Sequence, residues 1–594
     1  MSTTISSGSL IRRTYSNFRG VDFGNRKDEI ELTRSPDALN MWKNYKNSKG
    51  RCVESRPDVE LVKQYKDTDT IFGHFFYTYG GQKHTIVHIN KSLYDNELEI
   101  YSNMAEHKSQ FFIFEDKLYI KDATNYLVFN GYEVKEVEGY IPTTVTAKSP
   151  TGDGTIYQDA NLLTGIRKNM FVGDGKSTEY QLDTEKFDDD YTVRCWINDN
   201  EITEFTTSPE NGKIIFNTAP PAPNTDGQSN VTIQFRKTIE GARAKIENCT
   251  LIALFDNRVF FSGNPNYPNK LWHCSLSNPT YCSDLDYYDE GFGDSDIKAL
   301  IVGNNALWVL KAPSQTNTTI FYLNPTTDDD YGKVYPTTHS SISTGCLSTG
   351  VNFFDDIVFL SDRGLEGISS DITTQQVIMH RSSFVDNKLL NEDDYKNATL
   401  EIWEGYLLII VKNHVYLADS RAKTTYNSHM EYEWFYWEFE EEIMNTCIDD
   451  GVLFLNTKNK IFTLTKSNSN VKAYWTTPED EFGYPQYQKS TNKKGFTLDM
   501  EGNNIIISVK TDNNEFEEVK ELENKKGYVV TKVKQKKWKC IQMKFSSDKP
   551  FGIFSSTLEA YIGAYVKRWE EENKCQLITM IVVLLKLSKI NKMR

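Results

Sequence analysis

The chain has 594 residues and a mass of 68.4 kDa, which at roughly 150 residues per domain is too long for one ordinary core. Its 67 Lys and Arg against 82 Asp and Glu leave a formal charge of −15, so the chain as a whole is not built to clamp nucleic-acid phosphates. With 39% hydrophobic and 25% charged residues it is neither a disordered chain nor a multi-span membrane protein, and 33 Tyr and 33 Phe lean toward half-buried pleated sheet.

Residues 1–20 lack the apolar run of a signal peptide. Segment 1–64 is polar and holds Arg12, Arg13, Arg19, Arg26, Lys27 and Arg34. It reads as an extended N-terminal arm whose cations suit docking against an acidic neighbour.

A hairpin signal then repeats. Apolar strands flank turn residues in 71–100 (Tyr79-Gly80-Gly81), 110–131 (Glu115-Asp116), 249–262 (Asp256-Asn257) and 297–311 (Asn304-Asn305). The same pattern returns in 348–361 (Asp355-Asp356), 398–419 (Glu404-Gly405) and 444–465 (449–451). Asp, Asn and Gly tolerate the positive φ of a two-residue hairpin. With one long gap set aside, the copies start about 40–51 residues apart, the period of a four-stranded propeller blade. The expectation is an all-β chain in which 65–141 and 246–475 form a β-propeller of seven blades; a series of unclosed β-meanders is the alternative. The gap, 142–245, has its own alternating strands and apolar set (Phe171, Tyr180, Val193, Trp196, Phe205, Ile215, Phe216, Ile233, Phe235) and predicts an inserted β-sandwich. A C-terminal β-rich domain is expected over 476–569, then a tail segment, 570–594. Its apolar run 577–587 is shorter than the ~20 residues of a membrane span, so it reads as a buried strand or helix, as an interfacial segment, or as a gene-end artefact, since its style differs from everything before it; such a run also wants a partner surface.

No catalytic, cofactor-binding or metal site is expected. Gly175-Lys176-Ser177 ends like a phosphate loop, but Met170 stands where the first glycine belongs. His84 and His88 share a strand face about 13 Å apart at ~3.3 Å per residue, too far for one metal. The Asp runs 188–190 and 328–330 lack the glycine and glutamate of a calcium loop. The aromatic stretch 432–437 could stack a sugar or base, but period 2 favours a buried strand. Nine scattered cysteines without C-x-x-C read as reduced thiols.

Several stretches resemble the packaged-DNA-stabilising, or tail accessory, β-propeller proteins of short-tailed bacteriophages. They are Ser35-Pro36 with Asn40, Gly50-Arg51 and Arg56-Pro57; Asn257 to Pro265 with Asn278-Pro279-Thr280-Tyr281; Phe359 to Leu365; and Val415 to Arg421 with Tyr432, Trp434 and Trp437. Phe171 to Gly175 and Phe216 to Pro221 are similar to small sandwich modules of phage tail proteins; Asp58 departs from the family, where a glycine belongs. The resemblance implies a structural virion protein of the head-to-tail connector or tail nozzle, assembled in the host cytoplasm. It would form a homo-oligomeric ring with portal or adaptor and other tail proteins, seal or extend the DNA exit channel, and touch channel DNA transiently without sequence preference. It implies no enzyme activity, cofactor or membrane span. The alternative is a carbohydrate-binding or glycan-degrading propeller used in host adsorption.

Overall fold

The computed structural model describes residues 8–565, apart from 27–28, 47–51, 316, 330–331, 340–343, 371–375, 427–428, 466–469 and 503. The tail segment 570–594, with the apolar run 577–587, therefore lies outside the described residues. The protein is all-β: among the described residues the only α-helices are Ala242–Glu247 and Asp386–Leu389.

Seven antiparallel sheets have four strands each. We number them by their first strands: Ile71–Tyr79 (sheet 1), Gln110–Phe114 (2), Leu251–Phe255 (3), Ile297–Gly303 (4), Gly350–Phe353 (5), Thr399–Trp403 (6) and Asn445–Asp449 (7). The first strands of sheets 3, 4, 5, 6, 7 and 1 lie against one another in that order. Phe75 stacks on Phe111 between sheets 1 and 2, and Gln110 Nε2 donates to Thr250 O between sheets 2 and 3. Apolar wedges fill the gaps between neighbours, for example Ile86, Leu93, Leu118 and Leu127 between sheets 1 and 2, and Ile301, Trp308, Ile357 and Phe359 between sheets 4 and 5.

Every first hairpin turns through two consecutive residues of positive φ: Gly80-Gly81, Glu115-Asp116, Asp256-Asn257, Asn304-Asn305, Phe354-Asp355, Glu404-Gly405 and Asp450-Gly451. This is the two-residue turn whose twist matches its strands. In sheet 5 the turn is one residue earlier than the sequence pattern predicts. Asp356 is drawn into the strand, where its Oδ2 accepts from the Tyr432 hydroxyl (2.6 Å) and from Arg381 Nε (2.9 Å). Phe354 takes the left-handed position instead, at φ 50°.

The described residues of segment 1–64 do not form a projecting arm. Strand Asp58–Gln64 is the fourth strand of sheet 7, pairing Leu61 with Phe462. Leu10–Ser16 pairs with Phe551–Tyr565, while Ala38–Leu39 and Val53–Ser55 enter the two C-terminal sheets. Those sheets have five and seven strands. One core joins them to sheets 5, 6 and 7 through Trp42, Trp403, Trp437 and Trp475. Three of the cations expected to face a partner find acids within the chain: Arg12 pairs with Glu559 at the surface, Arg13 with Asp480 and Arg19 with Glu433; Arg34 is buried over the Phe384 ring at 3.8 Å, and Lys27 lies outside the described residues. The physical reason is local charge balance, since the acids they need arrive from more than 400 residues away in the chain.

Between sheets 2 and 3 the chain forms a six-stranded and a three-stranded sheet around Phe171, Tyr180, Cys195, Ile214, Phe216, Ile233 and Phe235. Trp196 and Ile215 do not join this core as expected. Ile214 points inward in place of Ile215, and Trp196 is half-buried beneath the Arg194 guanidinium, 4.9 Å from its ring.

Candidate functional site

Among the concavities that gather polar groups, two lie against sheet 7. The first lies where the first strands of sheets 6, 7, 1 and 2 converge, a cavity of about 230 Å³ lined by Phe72, His74, Lys108, Ser109, Glu401 and Thr446 among others. A relay of amides fixes the state of His74. Asn445 Nδ2 donates to Ile71 O (3.0 Å), and Asn456 Nδ2 donates to Asn445 Oδ1 (2.5 Å). Asn456 therefore presents its Oδ1 to His74 Nδ1 at 3.2 Å, so Nδ1 carries the proton and Nε2 is bare. Nε2 is buried with no partner among the described residues, and burial pushes this imidazole down to about 4, neutral at pH 7. Glu401 accepts from the Thr446 hydroxyl (2.8 Å). Lys108, an exposed side chain, lines the same cavity as Glu401.

Ser109 in the same wall bonds His88 Nδ1 at 2.7 Å, and His88 Nε2 donates to Asn90 O at 2.8 Å. That is the donor order of a nucleophile and its base. Both groups are buried, however, and burial holds His88 low, which makes it a weak base. Cys447 in the same wall is pushed up to about 12 by burial, so its thiol is inert. The cavity can accommodate a small polar molecule and hold a proton donor at His74 Nε2.

The second concavity, about 1020 Å³, opens along sheet 7 where segment 1–64 crosses it. Arg56 forms its wall. Its Nε donates to Asn40 Oδ1 (2.9 Å), its Nη2 to Glu438 O (3.0 Å), and its guanidinium lies 4.3 Å from the Phe439 ring centre. Burial brings this guanidinium down to about 10. Asp58, Glu440 and Glu441 share the cleft, with Lys460 on Glu441.

The residues singled out in the sequence are distributed through the scaffold. Ser35 Oγ donates to Thr476 O, Asn40 Nδ2 to Lys472 O, and Asn264 Nδ2 to Ala244 O and Lys245 O, so these motif positions stitch segments together. Asp174 accepts from the backbone N–H groups of Lys176 and Ser177, bonds that bring its carboxyl down to about 2, and closes a turn rather than a phosphate loop. Asp188 and Asp190 both hold Arg236. Asp328 ends a strand, and Asp330 lies outside the described residues. His84 is bonded to Asp95, not to His88. Residues 432–437 are all buried. The eight described cysteines form no disulfide. Sequence reasoning missed Lys108 facing Glu401, Arg56 over Phe439, and two buried carboxyls, Glu290 and Glu431. Nothing local marks them, because their partners come from other sheets.

No family model matches the chain, and no curated protein matches it. Among solved structures, similarity is found to an exo-β-1,3-galactanase from Phanerochaete chrysosporium with galactose (7% identity, 77% of this chain and 97% of that one, TM-score 0.20). It is also found to BBS1N in complex with ARL6DN (8%, 70% and 98%, TM-score 0.23) and to the AfRom2 CNH domain (11%, 51% and 96%, TM-score 0.22). Likeness at this level carries no functional argument.

Proposed function

We propose that the seven four-stranded sheets close as a seven-bladed β-propeller, with the 142–245 sandwich as an excursion between its second and third blades. We read the chain as a structural virion protein of a tailed bacteriophage, part of the head-to-tail connector or tail nozzle, which assembles as a homo-oligomeric ring and seals or extends the DNA exit channel. It works without a cofactor or catalysis, beside portal or adaptor and other tail proteins.

The observation that carries the architecture is the strand Asp58–Gln64 completing sheet 7, whose first strand lies against that of sheet 1. An N-terminal strand closing the last blade removes the free edges that consecutive meanders would expose. The functional part rests on the ordered motifs shared with the short-tailed phage proteins, and several of those residues are the scaffold's stitches (Ser35, Asn40, Arg56, Asn264). A scaffold reading expects its shared residues to hold segments together rather than to converge on a reacting atom.

The test incubates purified chain with portal-containing particles and images them. A ring of added density at the portal vertex or tail is the expected result. Protein that neither associates nor oligomerises, and instead releases sugar from a polysaccharide or binds a glycan array, replaces this reading with the carbohydrate one.

A further inference from the structure

Among the described residues, the outermost strand of the seven-stranded C-terminal sheet, Gly527–Thr531, is paired on one side only, with the Phe496–Met500 stretch. It lies in a run unlike the rest of this acidic chain. Lys525, Lys526, Lys532, Lys534, Lys536, Lys537 and Lys539 fall within fifteen residues that contain no Asp or Glu. All but Lys539 are exposed, and none of those six has an ion-pair partner among the described residues.

The run is held rigidly. Val533 and Trp538 are buried, and Thr491 pins the backbone by donating to Val533 O (2.6 Å) and accepting from Gln535 N (2.8 Å). Lys532, Lys534 and Lys536 are exposed on either side of the buried Val533 and the half-buried Gln535. Lys493 and Lys494, also exposed, sit in the irregular stretch of the neighbouring strand between Thr491 and Phe496. Tyr528 and Val530 project from the strand itself, 76% and 64% exposed.

A lysine or two on an open edge is an ordinary guard against edge-to-edge pairing. Eight exposed ammonium groups, six of them in a run without any acid, exceed that need, and their mutual repulsion costs stability. The composition also selects the ligand. Lysine is depleted in protein–protein interfaces, and no arginine is present for bidentate base readout, so the match is to a repeating array of phosphates. A single exposed aromatic is not the stacking platform that single strands use. We propose that this edge is a sequence-independent binding site for the phosphate backbone of duplex DNA. The site belongs to the isolated chain and does not rest on the virion reading.

The experiment measures binding of the full chain to a labelled duplex of arbitrary sequence by fluorescence anisotropy between 50 and 200 mM salt. About five phosphate contacts predict a loss of roughly 10²–10³-fold in affinity over that range. Lys532→Glu, Lys534→Glu, Lys536→Glu and Lys537→Glu combined should abolish binding, whereas Lys396→Glu, far away in the chain, should not change it. On the unmodified chain, bound duplex should protect Lys532, Lys534, Lys536 and Lys537 from acetylation, a readout that does not require the variant to fold. Absence of salt-dependent binding at 50 mM, equal binding by the quadruple variant, or protection elsewhere would each overturn the proposal. So would preference for an acidic peptide over DNA. Aggregation of the quadruple variant, without DNA binding by the parent, would mean that the lysines only guard the edge.

Discussion

The hydroxyl of Tyr15 donates to Asp480 Oδ2 at 2.9 Å, although 465 residues separate them. Asp480 also receives Arg13 Nε at 2.7 Å and the backbone N–H of Phe482 at 2.6 Å, so one buried carboxylate organises the start of the chain against its C-terminal sheets. Asp480→Ala leaves a buried phenol and a guanidinium without their acceptor and is expected to cost about 3–5 kcal/mol. Deleting residues 1–56 removes the same contacts together with three strand pairings, and the C-terminal sheets should lose protection in hydrogen exchange. If the truncated chain exchanges like the full one, residues 1–56 do not contribute to that core.

The insert should fold by itself. Residues 142–245 contain a closed apolar cluster with its own two sheets. Expressed alone, they are expected to melt in one cooperative transition. Phe216→Ala, at a fully buried position, should lower the stability of this fragment by about 3–5 kcal/mol. A broad, non-cooperative melt would refute autonomy.

Two hairpin substitutions should move stability in opposite directions. Phe354 sits at φ 50° with its ring 57% exposed. Phe354→Asn should therefore be neutral or stabilising by up to about 1 kcal/mol. Gly405, at φ 79°, has Arg421 within 2.5 Å of where a Cβ would stand. Gly405→Ala should destabilise by about 1–2 kcal/mol. Urea midpoints of the two variants decide the matter, and a sign reversal in either would contradict the turn assignment.

Stability should fall as pH rises from about 4.3 toward 7 at two sites. Burial pushes Glu290, held by Thr337, and Glu431, held by Ser383, up to about 7. An unfolded carboxyl titrates near 4.3, so within that window the folded chain keeps protons that the unfolded chain has lost. The slope therefore favours low pH, and the contribution is gone above pH 7. Each site contributes on the order of 3 kcal/mol at most. E290Q should flatten its share of the dependence in denaturant titrations at pH 5 and pH 8; an unchanged slope would exclude Glu290 as the source.

The repeated hairpins were legible in the sequence because their determinants are local: alternating apolar strands and residue pairs that tolerate positive φ, such as Asn304-Asn305 and Glu404-Gly405. The separate strands of the insert and the turn at 173–175 were legible for the same reason. Only the tertiary structure decided where Asp58–Gln64 goes, because an edge strand's partner is set by which open edge remains after the others have paired. It also decided the turn in sheet 5, where the buried demand of Arg381 and Tyr432 for Asp356 outweighed the preference of Asp for the turn and left Phe354 in its place. The N-terminal arginines looked free because a sequence displays charges without their neighbours. Folding brought Glu433, Asp480 and Glu559 to them: Arg13 and Arg19 are paired and half-buried, while Arg12 is paired at the surface.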